Sequence, residues 1–411
     1  MVTPLAHSSA IEVPPGLVAD YTRRFPWYET LLNAHDSDPT VLTSLPLIDG
    51  DILAEHYYFA ETDDPTLDTY LTSGTSGGAR KRIQYGTVDD DLYCQHRREL
   101  FSHFTNGVPP GSVAVADLGT GHAAASARRV FEELGFDARD IDFRAPLAEH
   151  VEKLNTWQPD VLFTMPMILD RLMTTSEGLS IRPRKIMVVG DLAPAAWRAN
   201  VARHFALDSA DVLDVFGSIE IGAIGYSDAE TGLYHFHDHI VAEVIDPVDY
   251  RAQLSTAARS EGDGLLLLTS TARPNFPALR YVTGDAISGL RVIEHRGRSV
   301  AAFDRIEGRI DGDAKHGERL SGHDIATAVA SVFPGSAFEV VDDGGVVLRI
   351  VDAHVTAERV DELRRVLDAA APDVATMIRS GLVRPIEVVG VDPHGLQSGH
   401  AKRRFNLKRE P

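Results

Sequence analysis

The sequence predicts an α/β protein with a large N-terminal domain of layered α/β sheets, a β-rich subdomain within it, and a small α+β C-terminal domain. Three observations carry this expectation. Between Val113 and Gly217, short apolar runs alternate with helix-length segments, as in a layered α/β sheet. After residue 230, strand-like runs follow one another without long helices. Near Ile310 the polar, Gly-rich run RIEGRIDGDAKHGERLSGHD reads as a linker before a mixed α/β segment. The domains expected are 1–310, with the β-rich subdomain at about 231–310, and 311–411.

Each element has its local reason. VAVADL at Val113–Leu118 is apolar and partly β-branched, and the following HAAASARRVFEELGF reads as a helix stopped by Gly135. Ile141–Phe143 is expected to begin a short strand. Further strands are read at Val161–Met165, Ile186–Val189 and Val212–Phe216, each ending at Pro or Gly. In an α/β sheet of this kind ligands gather at the carboxyl ends of strands. The β-rich part holds Ile240–Ile245, Gly264–Thr269 and Gly289–Glu294. Beyond the linker, Phe338–Val341 and Val346–Val351 flank the turn Asp342-Asp343-Gly344-Gly345. A helix then carries Val360, Leu363, Val366 and Leu367 on one face, and IEVVGV after Pro385 forms a last strand.

Composition excludes several function classes. A formal net charge of −20 argues against a general nucleic-acid or polyanion binder, although it leaves room for a local cationic nucleotide pocket. The single cysteine, Cys94, rules out an internal disulfide or a Cys-based metal cluster, and its helical context reads as packing. No apolar run reaches the ~20 residues of a membrane span, and no signal peptide is indicated, so a cytoplasmic protein without membrane or nucleic-acid partners is expected. A homodimer is the base-rate expectation.

Three segments could carry chemistry. The run Thr72-Ser73-Gly74-Thr75-Ser76-Gly77-Gly78, followed by Arg80-Lys81-Arg82, combines backbone N–H groups, hydroxyls and cations suited to phosphates. It lacks the Gly-Lys-Ser/Thr of a P-loop, and the same composition suits an ordinary surface loop. In Phe216-Gly217-Ser218-Ile219-Glu220, a carboxylate after a strand could hold Mg²⁺ or have a surface or capping role. Asp285, at the end of Arg280-Tyr281-Val282-Thr283-Gly284-Asp285, could accept ribose hydroxyls or serve as a turn residue. His235, His237 and His239 alternate as metal ligands on a strand would, but no further ligand is indicated. Asp238 and Glu243 are read as buried or interface carboxylates with partners.

Taken in order, these segments resemble the adenylate-forming superfamily of acyl-CoA synthetases, adenylation domains and luciferases. The resemblance is nearest to the phenylacetate–CoA ligase branch and its short relatives in antibiotic biosynthesis. TSGTSGGA is similar to the family's SSGTTGKP, FGSIE to Y-G-x-T-E, and RYVTGD to R-Y-R-T-G-D. Gly232-Leu233-Tyr234 with HDHIVAEVIDP resembles that branch's G-L-H, E-D-H and E-I-x-D-P phrases. Gly308-Arg309-Ile310-Asp311 is similar to the G-R-x-D hinge, and Ser398-Gly399-His400-Ala401-Lys402-Arg403 to E-G-K-A-K-R.

The resemblance implies a mobile C-terminal domain and ATP- and Mg²⁺-dependent adenylation of a small, aromatic carboxylic acid. It implies transfer onward to CoA, a carrier protein or an amine. Relatives also raise nitrite activation for diazotisation of an aryl amine, and a non-catalytic nucleotide-binding descendant is the competing class. By the same resemblance, Thr72 to Gly78 embrace the phosphates, Glu220 binds Mg²⁺, Asp285 holds the ribose, and Arg309 contacts ribose or phosphate. Gly190, Asp191, Phe216, Gly217 and Ser218 line the adenine site, Asp311 is the hinge, and Phe163–Met167 with Gly119–His122 wall the acid pocket. Two departures stand out. Gly78 replaces the loop lysine, with Arg80 or Lys81 as substitutes, and His400 replaces the catalytic lysine, with Lys402 as the alternative.

Overall fold

Side-chain alternation along the parallel strands builds the larger core. In the computed structural model, strands Val113–Asp117, Asp137–Asp140, Val161–Thr164, Lys185–Val189 and Val212–Ser218 pair in parallel. Ala114, Ala116, Val161, Phe163, Met187, Val189, Leu213 and Val215 point into one apolar cluster, with Phe101 and Phe131 from covering helices. The intervening Val115, Leu162, Ile186, Val188 and Val212 enter a second cluster with Leu154, Leu169 and Trp197. A period of two thus buries both faces, which is why these strands read as continuous apolar runs.

The residues described are 13, 16–35, 37–61, 64–71, 81–118, 122–175, 178–309, 314–316, 318–343, 345–392, 395–396 and 405–408. They fall within two compact units. One comprises residues 1–93, 218–224 and 233–304, and the other 94–217, 225–232 and 305–411. The architecture is a large α/β N-terminal domain with a mixed β-sheet subdomain and a smaller C-terminal α+β domain.

The first unit contains an antiparallel sheet in the order Ile240–Ile245, Gly262–Ser270, Tyr281–His295, Arg298–Phe303, Tyr234–Phe236. Short helices Leu17–Arg24, Trp27–Ala34 and Gly50–His56 precede it in the chain. A hairpin of Leu67–Leu71 and Arg82–Gly86 completes the unit.

The second unit holds the parallel sheet and the C-terminal elements. There, strands Phe338–Asp342 and Val346–Ile350 form a hairpin flanked in parallel by Phe405–Lys408 and Glu387–Gly390. Helices Gly322–Val332 and Ala357–Ala370 contribute Ile325, Val329, Leu363 and Leu367 to its core. Helix Gly322–Val332 also meets the parallel-sheet core, where Ala330 joins the second cluster and its carbonyl accepts from Asn200 Nδ2 at 2.6 Å.

Two expectations are corrected. The strand expected at Ile141–Phe143 lies earlier, at Asp137–Asp140, where pairing with Val113–Ala116 supplies what this polar segment lacks in β-propensity. The run read as linker is partly paired backbone: Arg305–Arg309 is a strand, and Ala314–His316 pairs with Glu318–Leu320. Its Gly and charge content suits short strands as well as a linker. Among the described residues, no helix is long and apolar enough to cross a membrane.

Candidate active site

The glycine- and hydroxyl-rich run Thr72–Gly78 and Arg80 lie outside the described residues, but their frame does not. Leu67–Leu71 and Arg82–Gly86, the strands on either side of this run in the sequence, pair antiparallel from Leu67↔Gly86 to Leu71↔Arg82. Tyr70 meets Tyr85 edge-on across the pair, with ring centroids 5.5 Å apart. Lys81, the candidate substitute for the loop lysine, stands over the Tyr58 ring at 4.6 Å.

The hairpin leads into Gly86, where an added Cβ would meet Asn275 Nδ2 at 2.7 Å, so a larger residue would have to displace the Asn275 side chain from Asp89. The next helix, Thr87–Phe104, carries Asp89 in its first turn. Asp89 is fully buried, accepts from the Gly86 N–H at 2.9 Å and from Asn275 Nδ2 at 2.6 Å, and pairs with Arg273. A carboxylate accepting backbone and side-chain donors at a helix start is the usual answer to the orphan N–H groups there.

Arg273, 2% exposed, is the hub of this unit. Its Nη1 pairs with Asp89, Nη2 donates to the Gln84 carbonyl at 3.1 Å, and Nε donates to the Glu220 carbonyl at 2.8 Å. The guanidinium lies 3.7 Å from the centroid of the Tyr85 ring, a cation–π stack. Tyr85 in turn donates its hydroxyl to the Ile219 carbonyl at 2.8 Å. Burial pushes the Tyr85 phenol well above its ordinary range, so that donor proton is retained. Tyr57, pushed by burial up to about 12, donates to the Asn275 carbonyl and accepts from the Gln84 N–H.

Glu220 sits half-buried on the turn between Val212–Ser218 and Gly222–Ser227. Ser218 Oγ accepts from the Ile221 N–H at 3.1 Å, closing that turn, and Gly222 takes φ +88° beside Tyr93. Among the described residues, the Glu220 carboxylate has no ion-pair partner: Arg273 takes its main-chain oxygen instead. That leaves a hard oxygen donor, which fits Mg²⁺.

A bulge presents Asp285. Leu265 pairs with Ala286 and Leu267 with Val282, so Thr283, Gly284 and Asp285 oppose the single residue Leu266. Gly284 adopts φ +82°, and Thr283 Oγ1 donates to the Leu266 carbonyl while accepting from the Asp285 N–H. Bulges re-aim side chains in this way, which explains why the segment needs Thr-Gly-Asp.

Its neighbour Arg280 is purely architectural. It is fully buried at φ +51° and holds Glu243 by two bonds. Glu243 is therefore the buried, partnered carboxylate the sequence suggested. Asp238 is not, because it is exposed and pairs with Arg298 at the surface. The three alternating histidines also separate. His235 lies on Tyr234–Phe236 with its ring 5.0 Å from that of His295, while His237 and His239 stack on each other beyond the strand end.

In the other unit, the nucleotide candidates occupy carboxyl ends of adjacent parallel strands. Val189 pairs with Val215, so Gly190 and Asp191 follow one strand while Phe216 and Gly217 lie in the last residues of its neighbour. Gly190 turns the chain at φ +88°, and Asp191 accepts from the Leu192 N–H at 2.8 Å. Arg309 is exposed at the end of Arg305–Arg309. Ile310, Asp311, Gly119–Gly121, His400 and Lys402 lie outside the described residues.

Two arrangements here carried no sequence signal. Asp117, fully buried at a strand's carboxyl end, lies 2.9 Å from His150 Nδ1 and accepts from Thr164 Oγ1 at 3.1 Å. Burial of His150 favours its neutral form, but the adjacent Asp117 carboxylate and the Ala145 carbonyl outweigh it and raise the imidazole pKa. Arg97, 3% exposed, donates through Nη1 to the Ala123 carbonyl at 2.9 Å and to Ser126 Oγ at 3.1 Å. Its guanidinium lies over Phe163 at 5.4 Å, beside the strand read as an acid-pocket wall.

Comparison with known proteins adds to this geometry. A family model described as the fumarate–diaminopropanoate ligase C-terminal domain matches residues 315–392. The fumarate–(S)-2,3-diaminopropanoate ligase of Enterobacter agglomerans is 41% identical over 391 residues, covering 94% of this chain and 97% of its own. Among solved structures, 2-hydroxyisobutyryl-CoA ligase in a postadenylation state with R3-HIB-AMP has a TM-score of 0.73 at 16% identity, over 95% of this chain and 87% of that one. The amide bond synthetase McbA from Marinactinospora thermotolerans has a TM-score of 0.53 at 14% identity, over 86% and 71%. At these identities the two structures share the fold.

Proposed function

The chain belongs to the adenylate-forming ligases, in the family of the fumarate–diaminopropanoate ligase, and we propose that it joins a small dicarboxylic acid of the fumarate type to the amine of a small amino acid. It is an enzyme that forms an acyl-adenylate, not a non-catalytic nucleotide-binding descendant. The observation that carries the finer reading is end-to-end similarity, 41% identity over 94% of the chain, to a ligase named for those two substrates. In this reading the acid is a small dicarboxylic one, instead of the aromatic acid implied by the phenylacetate-branch resemblance or the nitrite raised by other relatives.

The chemistry is two displacements. A carboxylate oxygen attacks the α-phosphorus of ATP and pyrophosphate leaves. The amine then attacks the acyl carbon, AMP leaves, and the amine's proton is released. The protein's work is alignment and compensation of phosphate charge. Thr72 to Gly78 hold the phosphates, Asp285 the ribose, Arg309 the ribose or phosphate, and Gly190, Asp191, Phe216, Gly217 and Ser218 the adenine. Glu220 holds Mg²⁺, which offsets phosphate charge when bound. His400, or Lys402, meets the acid and α-phosphate as residues 311–411 close.

In this reading Arg97 is the candidate cation for the second carboxylate. Its buried guanidinium against Phe163 is the type of cation that recognises a second carboxylate. The test is ATP-dependent pyrophosphate release with fumarate, crotonate, phenylacetate and nitrite, followed by mass spectrometry of products with (S)-2,3-diaminopropanoate, CoA or an aryl amine. Amide formation from fumarate supports the reading. Release with phenylacetate or nitrite but not fumarate overturns it.

A further inference from the structure

We propose that Arg273, with Tyr85, is a positioning residue that sets the direction of the Glu220 carboxylate toward the metal. The proposal rests on the reading of Glu220 as the Mg²⁺ ligand. Its basis is a pair of consecutive peptide planes. The Ile219 carbonyl, which belongs to the plane before the Glu220 Cα, accepts from the Tyr85 hydroxyl at 2.8 Å. The Glu220 carbonyl, which belongs to the plane after it, accepts from Arg273 Nε at 2.8 Å. Peptide planes are rigid, so holding both fixes φ and ψ at Glu220 and with them the Cα–Cβ direction.

Both anchors are themselves held. Arg273 uses all three guanidinium nitrogens, on Glu220, Asp89 and Gln84, with its face on the Tyr85 ring. Gln84 and Tyr85 belong to the strand that leaves the 72–80 segment, so that strand and the carboxylate turn share one guanidinium. Asp89 is fully buried and further fixed by Gly86 and Asn275. Lysine cannot reproduce three planar bonds from one head group.

The test compares Tyr85→Phe, Arg273→Lys and Glu220→Gln. ATP binding is measured by calorimetry over a series of Mg²⁺ concentrations, which needs no acid substrate, and thermal melting confirms folding. In Tyr85→Phe only a hydroxyl is lost, so it reports even where Arg273→Lys fails to fold. The expected result is a rise of about tenfold in the Mg²⁺ needed for half-maximal ATP binding in Arg273→Lys, and a smaller rise in Tyr85→Phe. The fumarate KM at saturating Mg²⁺ should stay at the parental value in both. Folded variants with a parental Mg²⁺ requirement, alongside a shifted Glu220→Gln, overturn the positioning role alone. A parental requirement in Glu220→Gln overturns the metal reading and this proposal with it.

Discussion

Arg280 grips Glu243 with two hydrogen bonds, Nε to Oε2 and Nη2 to Oε1, both at 3.0 Å, and neither side chain reaches water. The same guanidinium donates to the carbonyls of Thr43, Leu45 and Ser255. One arginine therefore ties three loop carbonyls to the Ile240–Ile245 strand. Removing one member of such a pair leaves a buried, uncompensated charge, so Arg280→Met is expected to destabilise the protein by about 3–5 kcal/mol. Denaturant unfolding measures this, and adding Glu243→Leu should recover part of the loss.

Five residues along, the expectation is the opposite. Asp285→Ala removes a half-buried side chain presented by the Thr283–Asp285 bulge. Its melting temperature should stay near the parent's while the KM for ATP rises about tenfold or more, the loss of one charge-assisted bond. Steady-state kinetics beside melting curves checks the split.

His150 makes stability depend on pH. Its folded pKa is raised above the ordinary 6.5 because Asp117 and the Ala145 carbonyl outweigh desolvation. The folded state therefore holds the proton more tightly than the unfolded chain does. This contribution is fully present below pH 6.5 and is lost as pH rises through the raised folded value. His150→Asn should remove that slope, and unfolding measured from pH 5.5 to 9 (roughly a unit or more either side of an ordinary imidazole) tests it.

Arg97→Met should discriminate between acids. Losing a charge-assisted bond of about 1.5–3 kcal/mol raises the fumarate KM by roughly tenfold to a hundredfold. Crotonate, with a methyl group where fumarate has its second carboxylate, should change little. Equal effects on both acids would reduce Arg97 to a packing role.

A lysine ammonium stays charged throughout the neutral range, whereas an imidazole's charge is conditional on pH. His400→Lys is expected to speed pyrophosphate release, most strongly above pH 7. An unchanged rate there, with Lys402→Ala equally silent, would remove this segment from the closing step.

The parallel strands were legible because burial on both faces leaves unbroken apolar runs, as in VLFT and KIMVV. Asp137–Asp140 was not, since a polar edge strand takes its conformation from its partner. The candidate segments could be read only as motifs in a fixed order, and Thr-Gly-Asp proved to be the composition of a bulge. Arg280 inside the same motif gave no local sign of its structural task.

Sequence by itself determined the helix and strand rhythm, the fold class and the order of the candidate motifs, because each is written in neighbouring residues. Tertiary structure alone decided which charges meet. Arg273 and Asp89 are 184 positions apart, and Arg280 and Glu243 are 37 apart. No local periodicity encodes such pairs, because the energy that selects them is that of burying charge, and burial exists only once the chain has closed around it.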